Sequence, residues 1–376
     1  MTVPRRVAIV MSRLPRLIDP QSSWLVGLRA AIQRLQHQQV ALVIVEGTAG
    51  SDFVRRVAER AAIPIEVAAS AAEEKNSSEA AAIPVRDRTL IMSADSVLVL
   101  GIRTNGNVHR ALLERLSLGK MVELVDIDGL QTRAVREDLV SRGAVMWTPS
   151  AITSPASEPQ VPSPGVIEIV PFPPVEEWSF LSHTTRACAG PWPGESAREY
   201  MDSLLEGTES SDHSPAATLA RIVSQRRLIA GHTAIRGSYP VVCLTEVPLQ
   251  QLPALHQFRN HRARWDFEPF GLCIRKQWLV DRGTRPVIYG DEHLWTELND
   301  ADRPWFQLYT PARESVADQG RIDWSLEREW RHLGDLDLSQ LPPQDGLVFV
   351  PHFEAATRLA LISPWPVTLW PDPIFA

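Results

Sequence analysis

The sequence has 376 residues, of which 44% are hydrophobic and 22% are charged. At roughly 150 residues per domain this length predicts two or three domains, and the composition excludes a largely disordered chain. The formal net charge of -7 argues against bulk electrostatic binding to nucleic acid or to an anionic membrane, but it allows a local basic patch.

The cysteines and the lengths of the apolar runs indicate the cellular compartment. The three cysteines form no CxxC pair, so neither a disulfide scaffold nor a structural zinc site is expected. Charged residues interrupt the apolar run at 7–11 too soon for a signal peptide, and no stretch reaches the roughly 18 apolar residues of a spanning helix. These features predict a cytoplasmic protein without a membrane partner and without a bound metal.

The first 147 residues alternate short β-branched runs with amphipathic stretches, a pattern typical of βαβ units around a mostly parallel sheet. Strands are predicted at 7–11, 40–46, 65–67, 96–100, 121–126 and 144–147. Helices are predicted between them at 24–35, 52–61, 107–118 and 132–141. The expected fold of this part is an α/β, Rossmann-like parallel sheet.

Two loops that contain glycine, at 46–51 and 101–107, follow strands of this predicted sheet. Ligands of such sheets bind beyond the carboxyl ends of the strands, where glycine admits a phosphate and a helix N-terminus offers unpaired N–H groups. Neither loop has a GxGxxG or Walker A sequence, and the alternative is that glycine only turns the chain. The predicted ligand-binding residues are Gly47, Gly50, Ser51, Arg103, Asn105, Gly106 and Asn107.

A family resemblance covers about 110 residues of this part. The segments RDRTLIM at 86–92, ADSVLVLG at 94–101 and TNGN at 104–107 resemble the SLOG superfamily, which includes DprA-like and lysine-decarboxylase-like proteins. The resemblance implies a Rossmannoid domain whose glycine loop holds a nucleotide or a single-stranded nucleic acid. The glycine-rich catalytic blocks of that superfamily are missing, so the resemblance implies sensing or binding rather than phosphoribohydrolase chemistry.

Residues 148–176 contain eight prolines among serine, threonine and glutamate, a composition typical of a semi-rigid linker. Regular βαβ alternation stops after this segment. We therefore expect a nucleotide-sensing domain at 1–147, a linker at 148–176 and an α+β effector domain at 177–376.

Two glutamates stand two residues apart in the run EREWR at 327–331. If this run is extended, Glu327 and Glu329 lie on one face of a strand, where each raises the proton affinity of the other. Such a pair suits general acid and base catalysis. The alternative is a solvated row of glutamates and arginines, and a helix would separate the two side chains by about 200°.

Five motifs follow one another in the second half: HTT at 183–185, VCLTEVPL at 242–249, FGLCIRKQW at 270–278, RPVIY at 285–289 and EREWR at 327–331. Their order resembles the abortive-infection AbiGi-like family, with a looser similarity to DarT-like ADP-ribosyltransferases. The AbiGi-like part is closest at 240–249 and 270–289, and the transferase part depends on His-Thr at 183–184, a central strand and a late glutamate. The sequence lacks a clear R-S-E motif and the aromatic core motif of DarT-type proteins, which leaves catalytic competence open.

The transferase resemblance implies NAD as a substrate and assigns roles to residues. His183 would contact the nicotinamide ribose and act with two catalytic carboxylates. Glu329 would bond the ribose 2′-hydroxyl and stabilise the oxocarbenium ion, and Glu327 would orient the acceptor. For His183 the alternative is a structural histidine, and for Glu246 a turn cap. The remaining implied nucleotide contacts are Thr184, Thr245, Glu246 and Trp330.

Taken together, these features predict an anti-phage, abortive-infection effector. It would cleave NAD and transfer ADP-ribose to nucleic acid, protein or water, under control of a nucleotide-sensing N-terminal domain. One alternative is a non-enzymatic, antitoxin-like protein that binds a nucleotide and a partner. The expected partners in either case are the product of a neighbouring toxin or antitoxin gene and a second copy of the chain in a homo-oligomer. Another is a nucleotide glycosidase that depends on Arg103 in the first domain.

Overall fold

The computed structural model describes residues 3–12, 14–15, 17–69, 83–149, 169–232, 235–259, 264–309 and 324–371. The chain forms two compact units, one of Met1–Pro159 with Ala189–Asp212 and the other of Gln160–Cys188 with His213–Ala376. Residues 150–168 of the predicted linker lie outside the described residues. None of the helices in the described ranges is long and apolar enough to span a bilayer.

The first unit contains a parallel sheet of six strands within its described residues, in the order β3-β2-β1-β4-β5-β6. This confirms the predicted Rossmann-like sheet. The strands are β1 Arg5–Val10, β2 Val40–Ile44, β3 Ile65–Val67, β4 Ser96–Val99, β5 Met121–Val125 and β6 Val145–Trp147. The helices that connect them are α1 Ser23–Leu35, α2 Ser51–Arg60, α3 Val85–Ser93, α4 Asn107–Ser117 and α5 Arg133–Ser141.

Burial on both faces explains why these strands are nearly continuous apolar runs. Every residue of β2 and of β4 is buried. One face packs against α1 and α2 in a core that includes Leu28 and Phe53, and the other packs against α3, α4 and α5 in a core that includes Ile91 and Leu112. The helices therefore lie on both sides of the sheet.

A helix from the middle of the chain completes the first unit. Helix α6 Ala197–Glu206 follows the first strand of the second unit, yet its Tyr200, Leu204 and Leu205 are buried in the core with α1 and α2. Its acidic face pairs with α2: Asp202 lies 2.6 Å from Arg56, and this hydrogen bond lowers the Asp202 pKa to about 2. The predicted division assigned 177–376 to the second domain, whereas residues 189–212 pack with the first unit.

The second unit is built on a mixed, mostly antiparallel sheet with the order β13-β16-β9-β7-β12-β18-β19. Its strands are β7 Phe180–Thr184, β8 Arg227–Leu228, β9 Val241–Thr245, β10 Gln257–Arg259, β11 Arg264–Asp266, β12 Gly271–Arg275, β13 Arg285–Pro286, β14 Ile288–Gly290, β15 Phe306–Leu308, β16 Glu329–Leu333, β17 Leu336–Asp337, β18 Gly346–Val350 and β19 Val367–Leu369. Its helices are α7 Pro215–Gln225, α8 Lys276–Val280, α9 Glu292–Glu297 and α10 Phe353–Ala360.

A close approach of backbones fixes the centre of this sheet. A Cβ atom at Gly271 of β12 would lie 2.2 Å from the His183 carbonyl oxygen and 2.4 Å from the Phe349 ring, so no other residue fits there. In the register of the neighbouring strands, Ser182 of β7 lies opposite Thr245 of β9, which lies opposite Glu329 of β16. The sheet with its separate helices agrees with the predicted α+β class.

Candidate functional site

A concavity of the first unit lies at the carboxyl edge of its sheet. The strand order reverses between β1 and β4, and open α/β sheets bind ligands at such a switch point. A cleft of about 560 Å³ lies there, between the loops that follow β1, β2 and β4 and the first turn of α3. Its lining residues are Met11, Ser12, Gly47, Ala49, Pro84, Arg86, Asp87, Arg103, Gly106, Asn107 and Val108.

Two arginines bring positive charge to this cleft. Both Arg86 and Arg103 are exposed, and neither guanidinium pairs with a carboxylate within the described part of the chain. A Cβ atom at Gly47 would lie only 3.6 Å from Nη1 of Arg86, so this arginine reaches the loop after β2. With Asp87 as the single acidic side chain among the lining residues, the cleft suits an anion.

Helix N-termini add further donors on the same edge. Helices α2, α3 and α4 begin after Gly50, Pro84 and Gly106, and none of these three residues caps its helix with a side chain. The first N–H groups of an uncapped helix lack intrahelical partners and lie at the positive end of its dipole. Together with the arginines, these amides are donors for phosphate oxygens.

The loop after β4 is held in a defined conformation. The backbone N–H of Arg103 donates to Oγ of Ser12 at 2.9 Å, and the N–H of Gly106 donates to the Arg103 carbonyl at 3.2 Å. Asn105 adopts a left-handed conformation with φ 56°. The Asn107 side chain accepts a hydrogen bond from Arg110 at 2.6 Å, which leaves its amide nitrogen as the group available to a ligand.

The loop after β2 also has a steric requirement. Gly50 has φ 76°, and a Cβ atom there would lie 2.5 Å from Sδ of Met11. Glycine at this position lets the start of α2, at Ser51, approach the end of β1. Of the predicted ligand residues, Gly47, Arg103, Gly106 and Asn107 line the cleft, while Gly50, Ser51 and Asn105 shape its loops.

Sequence reasoning missed Arg86, Asp87, Met11 and Ser12 as parts of this site. The segment at 86–92 carried the family resemblance, but its first residue was not placed at the cleft. Proline at position 84, just before a helix that begins with Val-Arg-Asp, is the signal that a helix N-terminus opens there.

The second unit contains the predicted glutamate pair, in a different conformation from the one expected. Glu327 ends a 3₁₀ turn, Trp324–Glu327, and Glu329 begins β16. Arg328 between them has φ 46°, so the run is not continuously extended and its period of two is broken. The Glu327 carbonyl accepts a hydrogen bond of 2.5 Å from the Thr245 hydroxyl, which ties the turn to β9.

Glu329 is bound to a buried arginine. Its two carboxylate oxygens accept hydrogen bonds from Nε and Nη2 of Arg331 at 2.8 and 3.0 Å. The Arg331 side chain is 1% exposed and also donates to the carbonyls of Pro304 and Phe306. Glu329 is therefore the counter-charge of a buried cation.

The surroundings of Glu327 disfavour its charged form. Burial, followed by the negative charges of Glu329 and Asp266, raises the pKa of Glu327 to about 7, against the opposing charges of Arg186 and Arg259. A carboxyl group with such a pKa is able to exchange protons at physiological pH.

His183 does not join this pair. Its Nδ1 lies 2.9 Å from the Cys243 carbonyl and donates to it, and burial lowers its pKa despite this hydrogen bond. Because side chains alternate along a strand, the partnership of Ser182 with Thr245 and Glu329 puts His183 on the opposite face of the sheet. Thr184 lies at the end of β7, opposite Gly271.

The predicted nucleotide contacts Glu246 and Trp330 bind each other instead. Glu246 accepts hydrogen bonds from Nζ of Lys276 at 2.6 Å and from Nε1 of Trp330 at 3.0 Å. Lys276 also lies over the Trp330 ring, 4.5 Å from its centroid. Burial opposes the charge of Glu246, but Lys276 and Trp330 outweigh it and lower the pKa. The hydroxyl of Thr245 is bonded separately to backbone groups, the Glu327 carbonyl and the Val247 N–H.

No protein-family model matches the sequence, and no curated protein matches it. Among solved structures, DNA processing protein A from Streptococcus pneumoniae is 16% identical with a TM-score of 0.29, over 39% of this chain and 59% of that chain. The chain thus spans about three fifths of the pneumococcal protein. DNA processing protein A from Helicobacter pylori is 14% identical with a TM-score of 0.29, over 38% of this chain and 75% of that one.

The molybdenum cofactor carrier protein from Chlamydomonas reinhardtii is 12% identical, also with a TM-score of 0.29, over 39% of this chain and 90% of that one. The H. pylori protein binds single-stranded DNA, and its structure concerns that binding mode. At these scores the fold assignment of the first unit rests on its own strand order.

Proposed function

We propose that the first unit binds a nucleotide through its phosphates, in the cleft between β1 and β4. One observation carries this proposal: Arg86 and Arg103 line the same cleft, at the switch point of the sheet. Neither arginine has a carboxylate partner among the described residues. Three uncapped helix N-termini on the same edge supply neutral donors. Its volume of about 560 Å³ gives room for a phosphate group and, beside it, a sugar or a base.

Replacement of either arginine tests this proposal. We expect Arg86→Gln and Arg103→Gln each to weaken nucleotide binding about tenfold or more, because each removes a charge-assisted hydrogen bond. Isothermal titration with nucleoside mono-, di- and triphosphates, ADP-ribose and a short single-stranded oligonucleotide measures the affinity and identifies the ligand class.

Arg5→Gln is the matched control. It makes the same change of charge at the start of β1, on the opposite edge of the sheet, where Arg5 is bonded to Gln38. Equal binding by all three variants, or no binding of any of these ligands by the unaltered protein, contradicts the proposal.

We propose NAD cleavage by the second unit as a second candidate function, implied by the transferase resemblance. What supports it is a carboxyl group, that of Glu327, whose pKa is raised to about 7, next to Glu329, which is bonded to Arg331. In this scheme the bond from ribose C1′ to the nicotinamide nitrogen breaks, and nicotinamide leaves with the electron pair. Water or an acceptor hydroxyl attacks the cation and passes its proton to Glu327.

Nicotinamide release by the purified protein tests this second candidate. We expect Glu327→Gln to lower the rate at least about tenfold, since the base is lost. The unaltered protein should be faster above pH 7 than below it, because only the ionised Glu327 accepts a proton and its pKa is about 7. Glu354→Gln, on the exposed face of α10, is the control and should leave the rate unchanged. Release that Glu327→Gln does not slow excludes this role.

The anti-phage role, the partner from a neighbouring gene, the acceptor of ADP-ribose and self-association remain predictions from the sequence.

A further inference from the structure

A two-stranded ribbon of the second unit exposes its apolar face and buries its polar one. Strands β10 and β11 pair antiparallel, and Phe258 lies directly opposite Trp265, so their two rings share one face. Each of these residues is 44% exposed, whereas Asp266, on the other face, is only 2% exposed. Antiparallel strands with one buried face ordinarily turn their apolar side chains inward. The reversal leaves a pair of aromatic rings at the surface.

The exposed rings are held in a fixed arrangement. His256 stacks on Trp265, with ring centroids 4.5 Å apart and planes 27° apart. The Phe258 ring meets the indole of Trp265 at 5.5 Å and 66°. Because these contacts already restrain the indole, it loses little conformational freedom when a planar ligand stacks on it. His256, Phe258 and Trp265 are called the aromatic face below.

The other face of the ribbon concentrates positive charge. Nε of Arg259 donates a hydrogen bond of 3.1 Å to Oδ2 of Asp266. The other oxygen of that carboxylate lies 3.6 Å from Arg264 and 3.8 Å from Arg186. One buried carboxylate thus faces three guanidinium groups, and the side chains of Arg186 and Arg264 are 46% and 34% exposed. The sequence from 256 to 265 contains no acidic residue, although the whole chain has a net charge of -7.

Two further carboxyl groups near Arg186 offset this charge only in part. Burial raises the pKa of Glu268, against the opposing charge of Arg186. Burial also raises the pKa of Glu327 to about 7. The charged forms of both groups are disfavoured, so the surroundings of the ribbon keep an excess of positive charge.

We propose that the aromatic face binds the unpaired bases of a single-stranded nucleic acid, whose phosphates contact Arg186 and Arg264. Every base has a π-face that stacks on an aromatic ring, and the arginine fork matches the geometry of a phosphate. The bases lie on the rings, and the phosphate backbone follows an edge of the ribbon, where arginine side chains from the other face reach it. This site belongs to the second unit, so it does not depend on the nucleotide site of the first.

A second copy of the chain fits this surface less well than a nucleic acid does. Two ribbons face to face would bring the arginines of one copy close to those of the other, and like charges oppose such a contact. A polyanion that carries flat, unpaired rings matches both the charge and the aromatic face.

Base stacking is tested with two strands that carry the same phosphates. One is a thymidine strand of about 12 nucleotides, and the other is an abasic strand of the same length. Affinity is measured on the full chain by fluorescence anisotropy of the labelled strands. We expect the unaltered protein to bind the thymidine strand at least about fivefold more tightly than the abasic strand. A uridine strand is measured in parallel, and the tighter of the two base-carrying strands names DNA or RNA as the source of the bases.

Substitution of the indole separates stacking from a structural role. Trp265→Leu should lower the affinity for the thymidine strand to that of the abasic strand and leave the abasic strand unaffected, because the phosphate contacts remain. Trp265→Phe, which keeps an aromatic ring, should retain most of the difference. Phe353→Leu is the matched control, since Phe353 on α10 is 55% exposed in the same unit, and it should change neither affinity. Equal losses for the two strands in Trp265→Leu, or no difference between the strands in the unaltered protein, overturn the proposal.

The phosphate contacts are tested by salt dependence. Arg186→Gln should weaken the binding of both strands and reduce the slope of log affinity against log salt concentration by about 0.7, the effect of one lost phosphate contact on a single strand. Arg358→Gln makes the same change of charge on α10, where the side chain is 61% exposed, and should leave the slope unchanged. A slope that Arg186→Gln does not alter excludes Arg186 from the site.

Two further results would place the strand or the rings elsewhere. If Arg103→Gln abolishes binding of the thymidine strand and Trp265→Leu does not reduce it, the strand is bound by the first unit and the proposal for the ribbon fails. We expect the unaltered protein and Trp265→Leu to have the same mass in sedimentation. A lower mass for Trp265→Leu would mean that the aromatic face joins two copies of the chain, which also contradicts the proposal.

Discussion

Arg331→Met is expected to lower the free energy of unfolding of the second unit by about 3–5 kcal/mol, because it leaves a buried carboxylate without its counter-charge. Glu329 is 14% exposed on its side chain and has both oxygens bound to Arg331. The carbonyls of Pro304 and Phe306 lose a donor at the same time. Chemical denaturation followed by tryptophan fluorescence measures the loss.

A neighbouring arginine provides the control for this substitution. Arg328 is 51% exposed, and Arg328→Met should change stability by no more than about 0.5 kcal/mol. Adding Glu329→Gln to Arg331→Met should recover part of the loss, because the unpaired charge is then removed. If Arg331→Met unfolds at the same denaturant concentration as the unaltered protein, the ion pair does not stabilise the unit.

This result also bears on the catalytic role that the transferase resemblance implies for Glu329. A carboxylate that neutralises a buried arginine is needed for the fold, so Glu329→Gln alone will reduce activity through instability. Glu327 has no arginine hydrogen-bonded to its carboxylate within the described part of the chain, and its pKa is about 7, so it is the more direct test of acid and base chemistry.

Leu204→Ala is expected to destabilise the first unit by about 2–5 kcal/mol, the usual cost of a cavity in a well-packed core. Leu204 is fully buried, and its helix α6 packs against α1 and α2. The transition of the first unit in thermal denaturation should move to a lower temperature. The transition of the second unit should stay where it is.

Leu118→Ala is the matched control for Leu204→Ala. Leu118 also belongs to the first unit, at the end of α4, but it is 60% exposed. It should change stability by no more than about 0.5 kcal/mol. A loss in the second unit rather than the first would mean that α6 belongs to the other core.

The first unit was largely predictable from its sequence. Parallel strands that are buried on both faces are nearly continuous apolar runs. The segments at 40–44 and 96–99 can therefore be recognised as strands from the sequence alone. The predicted loops at 46–51 and 101–107 both reach the cleft, because the carboxyl ends of parallel strands share one edge.

Two features escaped prediction for physical reasons. The apolar face of α6 gives no sign of which core will bury it, and it packs against α1 and α2, which lie more than a hundred residues earlier in the chain. The geometry of the glutamate pair depends on a single dihedral angle, φ 46° at Arg328, which the sequence pattern does not encode. His183 and Glu329 were expected to act together, but the strand register places them on opposite faces.

The first unit is made of two separate parts of the chain, so its core is completed late in synthesis. The ribosome releases β1 to β6 long before α6, and β7 of the other unit is made in between. The core against α1 and α2 therefore stays open to solvent or to chaperones until about residue 212 has left the exit tunnel. Nascent chains arrested before that point should expose the apolar surface that α6 later covers.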